Sequence, residues 1–308
     1  MSSYTSSSDR GFIIKAVATM LLVFAAYGFL TPKLFPNGGG AQNQWQDNII
    51  KAQKYIYEKR DIPYVVAGSS LSARIALSFL PKDYYNLSFS GGSVLTGLEV
   101  IIKSDKTPKV VLIETNVIMR ASDKKFLYSL FNPGMHLMRT YLPMTKDQFQ
   151  PMAVFGTPIV QMLLTSAGFF GENENAGIKQ QQNKAFDIGL KRQQESFSKP
   201  PNAEILNERI ESFKRSVATL QKRGVKVVFF EMPIHPSLYG TPQTIIIKKA
   251  LLNTFPADKY DWIPSPAPAD YHTTDGMHLN NESAHRYSNF LITEFQRITE
   301  KRSSFSEI

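Results

Sequence analysis

Residues 62–72 read IPYVVAGSSLS, and this stretch decides the fold because it leads a strand directly into a polar turn. The run Ile62–Ala67 is short, apolar and β-branched, which predicts a strand buried on both faces. Gly68 ends the run, and Ser70–Leu80 continues with the spacing of a helix. A strand, a tight turn and a helix in this order predict one unit of an α/β protein.

The same alternation recurs along the chain. Apolar runs at Tyr84–Leu87, Lys109–Glu114 and Val225–Glu231 predict three further strands, and Val94–Lys103 is predicted to be helical. Two later helices are predicted from apolar faces, one made of Leu206, Ile210, Phe213, Val217 and Leu220, the other of Ala284, Tyr287, Leu291 and Phe295. Apolar strands that alternate with helices imply a parallel sheet covered on both faces.

The alternation fails between residues 120 and 201, where an aromatic and Met-rich part is followed by a polar, glutamine-rich part. We interpret 120–201 as a partly helical insertion in a domain that spans 45–302, with 303–308 as a tail. Long connections of this kind are usually functional or disordered. The insertion either covers the active site or forms a peripheral subdomain, and the sequence favours neither.

The first apolar segment predicts a membrane anchor. Residues 12–30 contain a single charge, Lys15, and the segment approaches the roughly 20 apolar residues that a helix needs to cross a bilayer. A cleaved signal peptide is the alternative, but no good cleavage site follows closely. We therefore predict a cytoplasmic tail at 1–11, a transmembrane helix at 12–30 and a linker rich in glycine and proline at 31–44.

Composition excludes several classes of function. The chain has 308 residues, no cysteine and a formal net charge of +9. Without cysteine there is no disulfide, no thiolate metal site and no cysteine nucleophile. Lys and Arg are spread along the chain and form no nucleic-acid-binding motif, so nucleic acid is not an expected partner. The histidines lack the spacing of metal ligands and no glycine-rich loop has a phosphate-binding pattern, so no metal or other cofactor is expected.

Two segments contain the residues of an activated serine. Ser70 lies in GSSLS at 68–72, and Asp275 and His278 lie in DGMH at 275–278. A serine hydroxyl becomes a good nucleophile when a histidine takes its proton and a carboxylate orients that histidine. Each segment alone is a weak signal, because Gly-Ser turns and Asp-His pairs are common. GSSLS also lacks the second glycine of the GxSxG turn, which argues against an α/β-hydrolase.

Four segments in order, between Val65 and Asn280, resemble the blocks of the SGNH hydrolase (GDSL-like) family. They are GSSLS at 68–72, NLSFSGGS at 86–93, IETN at 113–116 and DGMHLN at 275–280. The resemblance implies a flavodoxin-like three-layer parallel sheet. It also implies catalytic roles for Ser70, Asp275 and His278, and oxyanion donors at the Gly91 backbone and the Asn116 side chain.

Two residues depart from the family pattern. Ser69 stands where the first block usually has Asp, and Glu114 stands where the third block usually has Gly. We expect Glu114 to narrow the oxyanion side of the pocket and Ser69 to contact substrate. His235, just after the fourth predicted strand, is a second candidate for substrate binding. The alternative for His235 is a loop histidine held between two prolines.

An anchor followed by such a domain is similar to the alginate O-acetylation accessory proteins and the D-alanyl transfer protein of teichoic acid. This similarity implies transfer or removal of O-acyl groups, first of all acetyl, on a cell-envelope polysaccharide. It also implies a domain on the periplasmic side of a bacterial inner membrane and a multi-spanning membrane acyltransferase as partner. A general esterase or lipase-like hydrolase and a catalytically inactive glycan-binding scaffold are the alternatives.

Overall fold

The computed structural model describes residues 7–58, 61–156 and 176–305, which form two compact units. Unit 1 contains the described residues up to Tyr57 and those from Ser129 to Gly156. Unit 2 contains the described residues from Glu58 to Tyr128 and from Ala176 to Phe305. Residues 1–6 and 306–308 of the two predicted tails, and 157–175 of the predicted insertion, lie outside the described residues.

Unit 2 is built on a five-stranded sheet. The strands are β1 (Tyr64–Ala67), β2 (Tyr84–Asn86), β3 (Val110–Glu114), β4 (Lys226–Phe230) and β5 (Asp261–Trp262). All pairs are parallel and the order is β2-β1-β3-β4-β5, one of the two common orders of doubly wound sheets. The predicted α/β class and parallel sheet are confirmed. The two-residue strand β5 is too short to have been found from sequence.

The described residues of the two units contain ten α-helices. They are α1 (Ser7–Leu34), α2 (Gln44–Tyr57), α3 (Val94–Lys103), α4 (Lys124–Phe131), α5 (Pro133–Tyr141), α6 (Ala176–Phe197), α7 (Ala203–Lys222), α8 (Pro236–Tyr239), α9 (Pro242–Thr254) and α10 (Asn281–Phe305). The apolar faces predicted for α7 and α10 are both buried. The two predicted helices are therefore confirmed, and so is the face that each of them buries.

Successive side chains along each strand point to opposite faces of the sheet, and both faces are buried. Val66, Leu112 and Val228 point to one face and share a core with the apolar side of α10. The next residue along β4, Phe229, points to the other face, where its ring lies 5.8 Å from that of Phe213 in α7. Unit 2 therefore has helices on both sides of its sheet.

The predicted helix from Ser70 to Leu80 is wrong. The structure has two single turns of 3₁₀ helix, at Ser72–Arg74 and Leu77–Phe79, separated by extended backbone at Ile75 and Ala76. The side-chain Nδ2 of Asn86, at the end of β2, donates to the backbone carbonyls of Ser72 (2.8 Å) and Ile75 (2.6 Å). A tertiary contact thus takes carbonyls that a regular helix would use, and it outweighs the local helical spacing.

Unit 1 contains the N-terminal helix. The segment Arg10–Leu34 of α1 is long and apolar enough to cross a membrane. Its most apolar stretch of 18 residues has a mean hydropathy of 2.1, and none of that stretch is buried. A single-pass membrane segment is therefore supported, although α1 runs beyond the predicted 12–30 at both ends. Its last turn contains residues 31–34 of the predicted linker.

The rest of the predicted linker packs within unit 1. The Gly39 N–H donates to the Gln148 carbonyl at 2.7 Å. Helix α2 follows and also belongs to unit 1, where Gln53 and Asp147 exchange two hydrogen bonds of 2.5 and 2.8 Å. The sheet unit therefore begins after Tyr57, and the predicted domain start at 45 falls within unit 1.

Candidate active site

The structure brings together three side chains that are far apart in the sequence. Ser70 follows β1 through a tight turn, and Asp275 and His278 lie on the loop between β5 and α10. The Ser70 Oγ is 3.0 Å from the His278 Nε2, across 208 residues, and the His278 Nδ1 is 2.8 Å from the Asp275 Oδ2. An ionised carboxylate only accepts, so Nδ1 donates to Asp275 and Nε2 is left to accept the serine proton.

The loop that carries Asp275 and His278 is closed on itself. The Asp275 Oδ1 accepts the backbone N–H groups of Met277 (3.0 Å) and His278 (2.8 Å). The Thr274 N–H donates to the His278 carbonyl at 2.7 Å. Gly276 has a φ of +90°, a conformation that side chains with a Cβ rarely adopt. The backbone therefore fixes the acid and the histidine relative to each other before any substrate arrives.

These contacts change the pKa of Asp275. Partial burial works to raise the pKa, but the side-chain hydrogen bond from His278, the backbone N–H groups of His278 and Met277 and the His278 charge together outweigh it. The result is a pKa lowered from 3.8 to about 2. The carboxylate is therefore ionised at every pH at which the histidine could act as a base.

Ser69 and Glu114, the two departures from the family pattern, contact each other. The Glu114 side chain at the end of β3 is fully buried, and its Oε2 accepts the Ser69 N–H and Ser69 O–H, both at 2.7 Å, and the Ser72 O–H at 2.9 Å. Glu114 therefore lies beneath the Ser70 turn and does not narrow the oxyanion side. Ser69 is also fully buried, so its predicted contact with substrate is wrong.

Gly68 is required by the close approach of Glu114. A Cβ at position 68 would lie 2.7 Å from both the Cβ and the Oε2 of Glu114, and 2.0 Å from the Ser72 Oγ. These distances are too short for any side chain at 68 unless the turn moves. The glycine seen in the sequence as the end of a strand thus also makes room for the carboxylate.

Of the two predicted oxyanion donors, the structure places Asn116 at the site. Its Nδ2 donates to the Met232 carbonyl at 2.9 Å and its Oδ1 accepts the Met232 N–H at 2.7 Å. These bonds fix the amide and leave its second Nδ2 hydrogen without a partner among the described residues. Gly91 is exposed, and within the described chain it does not belong to the lining of the cleft that contains Ser70. The geometry therefore supports Asn116 and gives no support to Gly91.

Ser70, His278 and Asn116 open onto one cleft of about 350 Å³, which we call the catalytic cleft. The last turns of α6, from the predicted insertion, line part of it. Gly189 of α6 lies against Asp275, because a Cβ there would be 2.9 Å from the Asp275 Cβ. The further polar groups of the cleft, which we did not predict, are Arg120, Gln193, Ser196 and Gln243. They are isolated in sequence and follow no motif, so only the fold could identify them.

His235 has a structural role. It caps the short helix α8, with its Nδ1 accepting the Ser237 N–H at 3.3 Å, and its ring packs 6.0 Å from that of Phe186. Its backbone N–H donates to the Gly276 carbonyl at 2.8 Å. Among the described residues it does not line the catalytic cleft. The prediction of substrate binding is therefore not supported, and the alternative of a fixed loop histidine describes it.

No protein-family model matches the chain, and no curated protein matches its sequence. Within residues 7–58, 61–156 and 176–305, no group of three or more His, Asp or Glu side chains is placed to hold a metal ion. The functional argument therefore depends on the geometry of the cleft.

We predict that Glu114→Ala lowers both stability and activity, whereas Glu114→Gln largely preserves them. Alanine leaves the Ser69 N–H and O–H without their acceptor, whereas the Ser72 O–H keeps the Ser88 Oγ at 2.8 Å. Each lost acceptor costs about 1–3 kcal/mol. Glutamine keeps one oxygen for these donors and can place its NH₂ where Oε1, which has no partner among the described residues, now lies. Thermal unfolding and ester turnover of the full chain would test this. Equal effects of the two variants would contradict it.

We predict that the contribution of Asp275 to stability is lost in acid. Its pKa is lower in the folded chain than in the unfolded chain, so the contribution is complete above about pH 4 and declines as the pH falls toward 2. The difference in unfolding midpoint between the wild type and Asp275→Asn should therefore narrow between pH 5 and pH 2.5. A difference that does not change with pH would show that the carboxylate is not held as described.

Proposed function

We propose that this protein is a membrane-anchored serine enzyme of the SGNH hydrolase type, which transfers or removes O-acyl groups on a cell-envelope polysaccharide. The observation that carries the proposal is the hydrogen-bonded chain from Ser70 through His278 to Asp275. The placement of Ser70 after β1, Asn116 after β3 and the acid–histidine loop before the last helix supports the SGNH assignment. So does the 2-1-3-4-5 strand order, which the flavodoxin-like folds share.

The proposed reaction is acyl transfer in two steps. His278 takes the Ser70 proton as Oγ attacks the ester carbonyl, and then gives that proton to the departing alcohol. Asp275 holds the imidazole and stabilises its positive charge. The second Nδ2 hydrogen of Asn116 and the Ser70 N–H bind the oxyanion, and one such donor contributes about 3–4 kcal/mol to the transition state. In the second step His278 deprotonates water or a sugar hydroxyl, whose oxygen attacks the acyl carbon. The bond between the acyl carbon and Ser70 Oγ breaks, and Oγ takes the proton back from His278.

The walls of the catalytic cleft support a sugar as the alcohol. Arg120, Gln193, Ser196 and Gln243 supply side-chain hydrogen-bond groups around the catalytic serine. A small number of polar groups in a pocket can form hydrogen bonds with the hydroxyls of a polar substrate and fix its orientation. A general esterase is the second candidate, because the His278 and Asp275 side chains keep 25% and 32% of their surface exposed and water can reach them.

The anchor supports a location at the cell envelope. We propose that the N-terminus lies in the cytoplasm, that α1 crosses a bacterial inner membrane, and that unit 2 acts on the periplasmic side. A multi-spanning membrane acyltransferase would be the source of acyl groups if the direction is transfer. Acetyl, the acyl group that the sequence analysis expects first, is the smallest acyl group with which to assay the protein.

We predict that Ser70→Ala and His278→Ala each reduce p-nitrophenyl acetate turnover by roughly 10³-fold or more, and that the double variant loses no more than either alone. The three residues act as one unit, so their losses do not add. The assay uses the full chain in phospholipid nanodiscs. Ser78→Ala, at an exposed serine outside the cleft, is the control and should keep wild-type turnover.

Two results would contradict the enzymatic proposal: full turnover by Ser70→Ala, or no turnover by the wild type together with retained glycan binding. The second result would favour the inactive scaffold. If the wild type is active, adding a polysaccharide acceptor to the ester distinguishes acyl transfer from hydrolysis. Acylated sugar formed from the ester indicates transfer, and free acid alone indicates hydrolysis.

We predict that protease digests unit 2 in spheroplasts, where the outer face of the inner membrane is accessible, and spares it in sealed inside-out vesicles. The positive charge of Arg10 before the apolar segment favours this orientation weakly, because Lys33 follows it. The intact mass of the purified chain separates an anchor from a cleaved signal peptide. Digestion in the inside-out vesicles would reverse the topology.

A further inference from the structure

A second cavity of about 400 Å³ lies in unit 2, and the proposed reaction has not yet used it. Most of its inner wall comes from four buried apolar residues: Ile234 after β4, Ile247 and Leu251 on α9, and Met277 on the loop before α10. The volume falls within the range of small-molecule binding sites. We call it the side cavity.

The side cavity adjoins the catalytic cleft. Four residues line both: Asn116, Phe197, Ile247 and Met277. One of these is the proposed oxyanion donor, and another lies one position before the proposed base, His278. A group attached to the carbonyl that Ser70 attacks is therefore next to the side cavity.

The two spaces differ in chemistry. The catalytic cleft carries Arg120, Gln193, Ser196 and Gln243, whereas the wall shared with the side cavity is apolar apart from Asn116. The carboxylate that reaches the side cavity is already paired, because Glu231 Oε2 lies 2.7 Å from the Lys248 Nζ and accepts the Ser265 hydroxyl at 2.8 Å. Among the described residues, the four that form most of the inner wall are uncharged, and the remaining charged residue of the lining, Lys249, is exposed.

We infer that the side cavity binds the hydrocarbon chain of the acyl group, so that the preferred ester carries a chain longer than acetyl. This inference rests on the proposed function and specifies its acyl donor. An acetyl methyl would leave most of about 400 Å³ unfilled, whereas a linear chain gains favourable free energy with each methylene that leaves water. The alcohol of the ester would occupy the polar cleft and the chain the side cavity.

The experiment compares kcat/KM for p-nitrophenyl acetate, butanoate, hexanoate and octanoate. The full chain is held in phospholipid nanodiscs so that free detergent does not compete for the cavity. Rates are corrected with Ser70→Ala. The wild type should show a rise of roughly fourfold for each methylene that enters the cavity.

Helix α9 offers a matched pair of variants. Ile245 and Ile246 are adjacent, identical and exposed, at 53% and 38%, but only Ile245 lines the side cavity. Ile245→Trp should therefore reduce octanoate turnover by about fifteenfold or more, as expected when two or more methylenes are excluded, and should lower the ratio of octanoate to acetate turnover. Ile246→Trp should behave like the wild type for both esters. Leu252→Trp, at a second exposed position of the lining, should reproduce the effect of Ile245→Trp.

Each outcome has a distinct meaning. A chain-length preference that Ile245→Trp and Leu252→Trp abolish and Ile246→Trp retains supports the inference. Ser70-dependent turnover that is highest with acetate, or a preference that both filling variants retain, overturns the acyl-chain site and leaves the serine enzyme standing. Absence of Ser70-dependent turnover with every ester overturns both.

Discussion

The carboxylate of Glu114, buried beneath the turn that carries Ser70, is the interaction on which the candidate site depends. Strands β1 and β3 pair in parallel, with Ala67 opposite Ile113, so the residues that follow each strand meet at one edge of the sheet. There one oxygen of Glu114 accepts three donors from the turn. A buried polar group is tolerated only with such partners, and the same bonds fix the turn and thereby the direction of the serine.

This arrangement accounts for both positions at which the chain differs from the SGNH blocks that it resembles. Judged one at a time, Ser69 removes a carboxylate from the turn and Glu114 introduces one where glycine is usual. In the structure the two changes complement each other, because the carboxylate now comes from the neighbouring strand and the serine supplies the donors. Gly68 completes the arrangement, since any Cβ there would collide with Glu114. A side chain that seemed an obstruction in the pocket is thus a support below it.

The sequence predicted those parts of the fold in which local pattern and tertiary packing agree. Apolar runs located β1 to β4, and helical periodicity located α7 and α10 because burial of one face produces that periodicity. It failed where a distant residue decides the local conformation, as Asn86 does for the turns after Ser70. For α6 it predicted only a partly helical insertion without bounds, because this polar helix gives no periodic signal, although its end lines the catalytic cleft.

The same distinction applies to the candidate site: residues in local motifs were predicted, and residues placed by distant contacts were not. A DxxH spacing on one short loop is visible in sequence, because Asp275 binds the backbone of the residues that follow it. The meeting of Ser70 with His278 was inferred from the order of four motifs, and the 3.0 Å contact agrees with it. His235 could not be assigned from sequence, because a histidine after a strand fits either a pocket or a cap. Only the contact with Ser237 distinguishes the two.

Asn116 connects the chemistry to the choice of substrate. Its two bonds to Met232 tie the end of β3 to the segment after β4, so the amide cannot turn away and its remaining hydrogen is preorganised. The same side chain is part of the wall between the catalytic cleft and the side cavity. In the proposed reaction, a chain seated in that cavity would position the carbonyl oxygen against this donor. Binding energy from the chain would then favour the transition state more than the bound ester. Chain length would therefore affect kcat as well as KM, because the residue that contacts the chain also stabilises the developing charge.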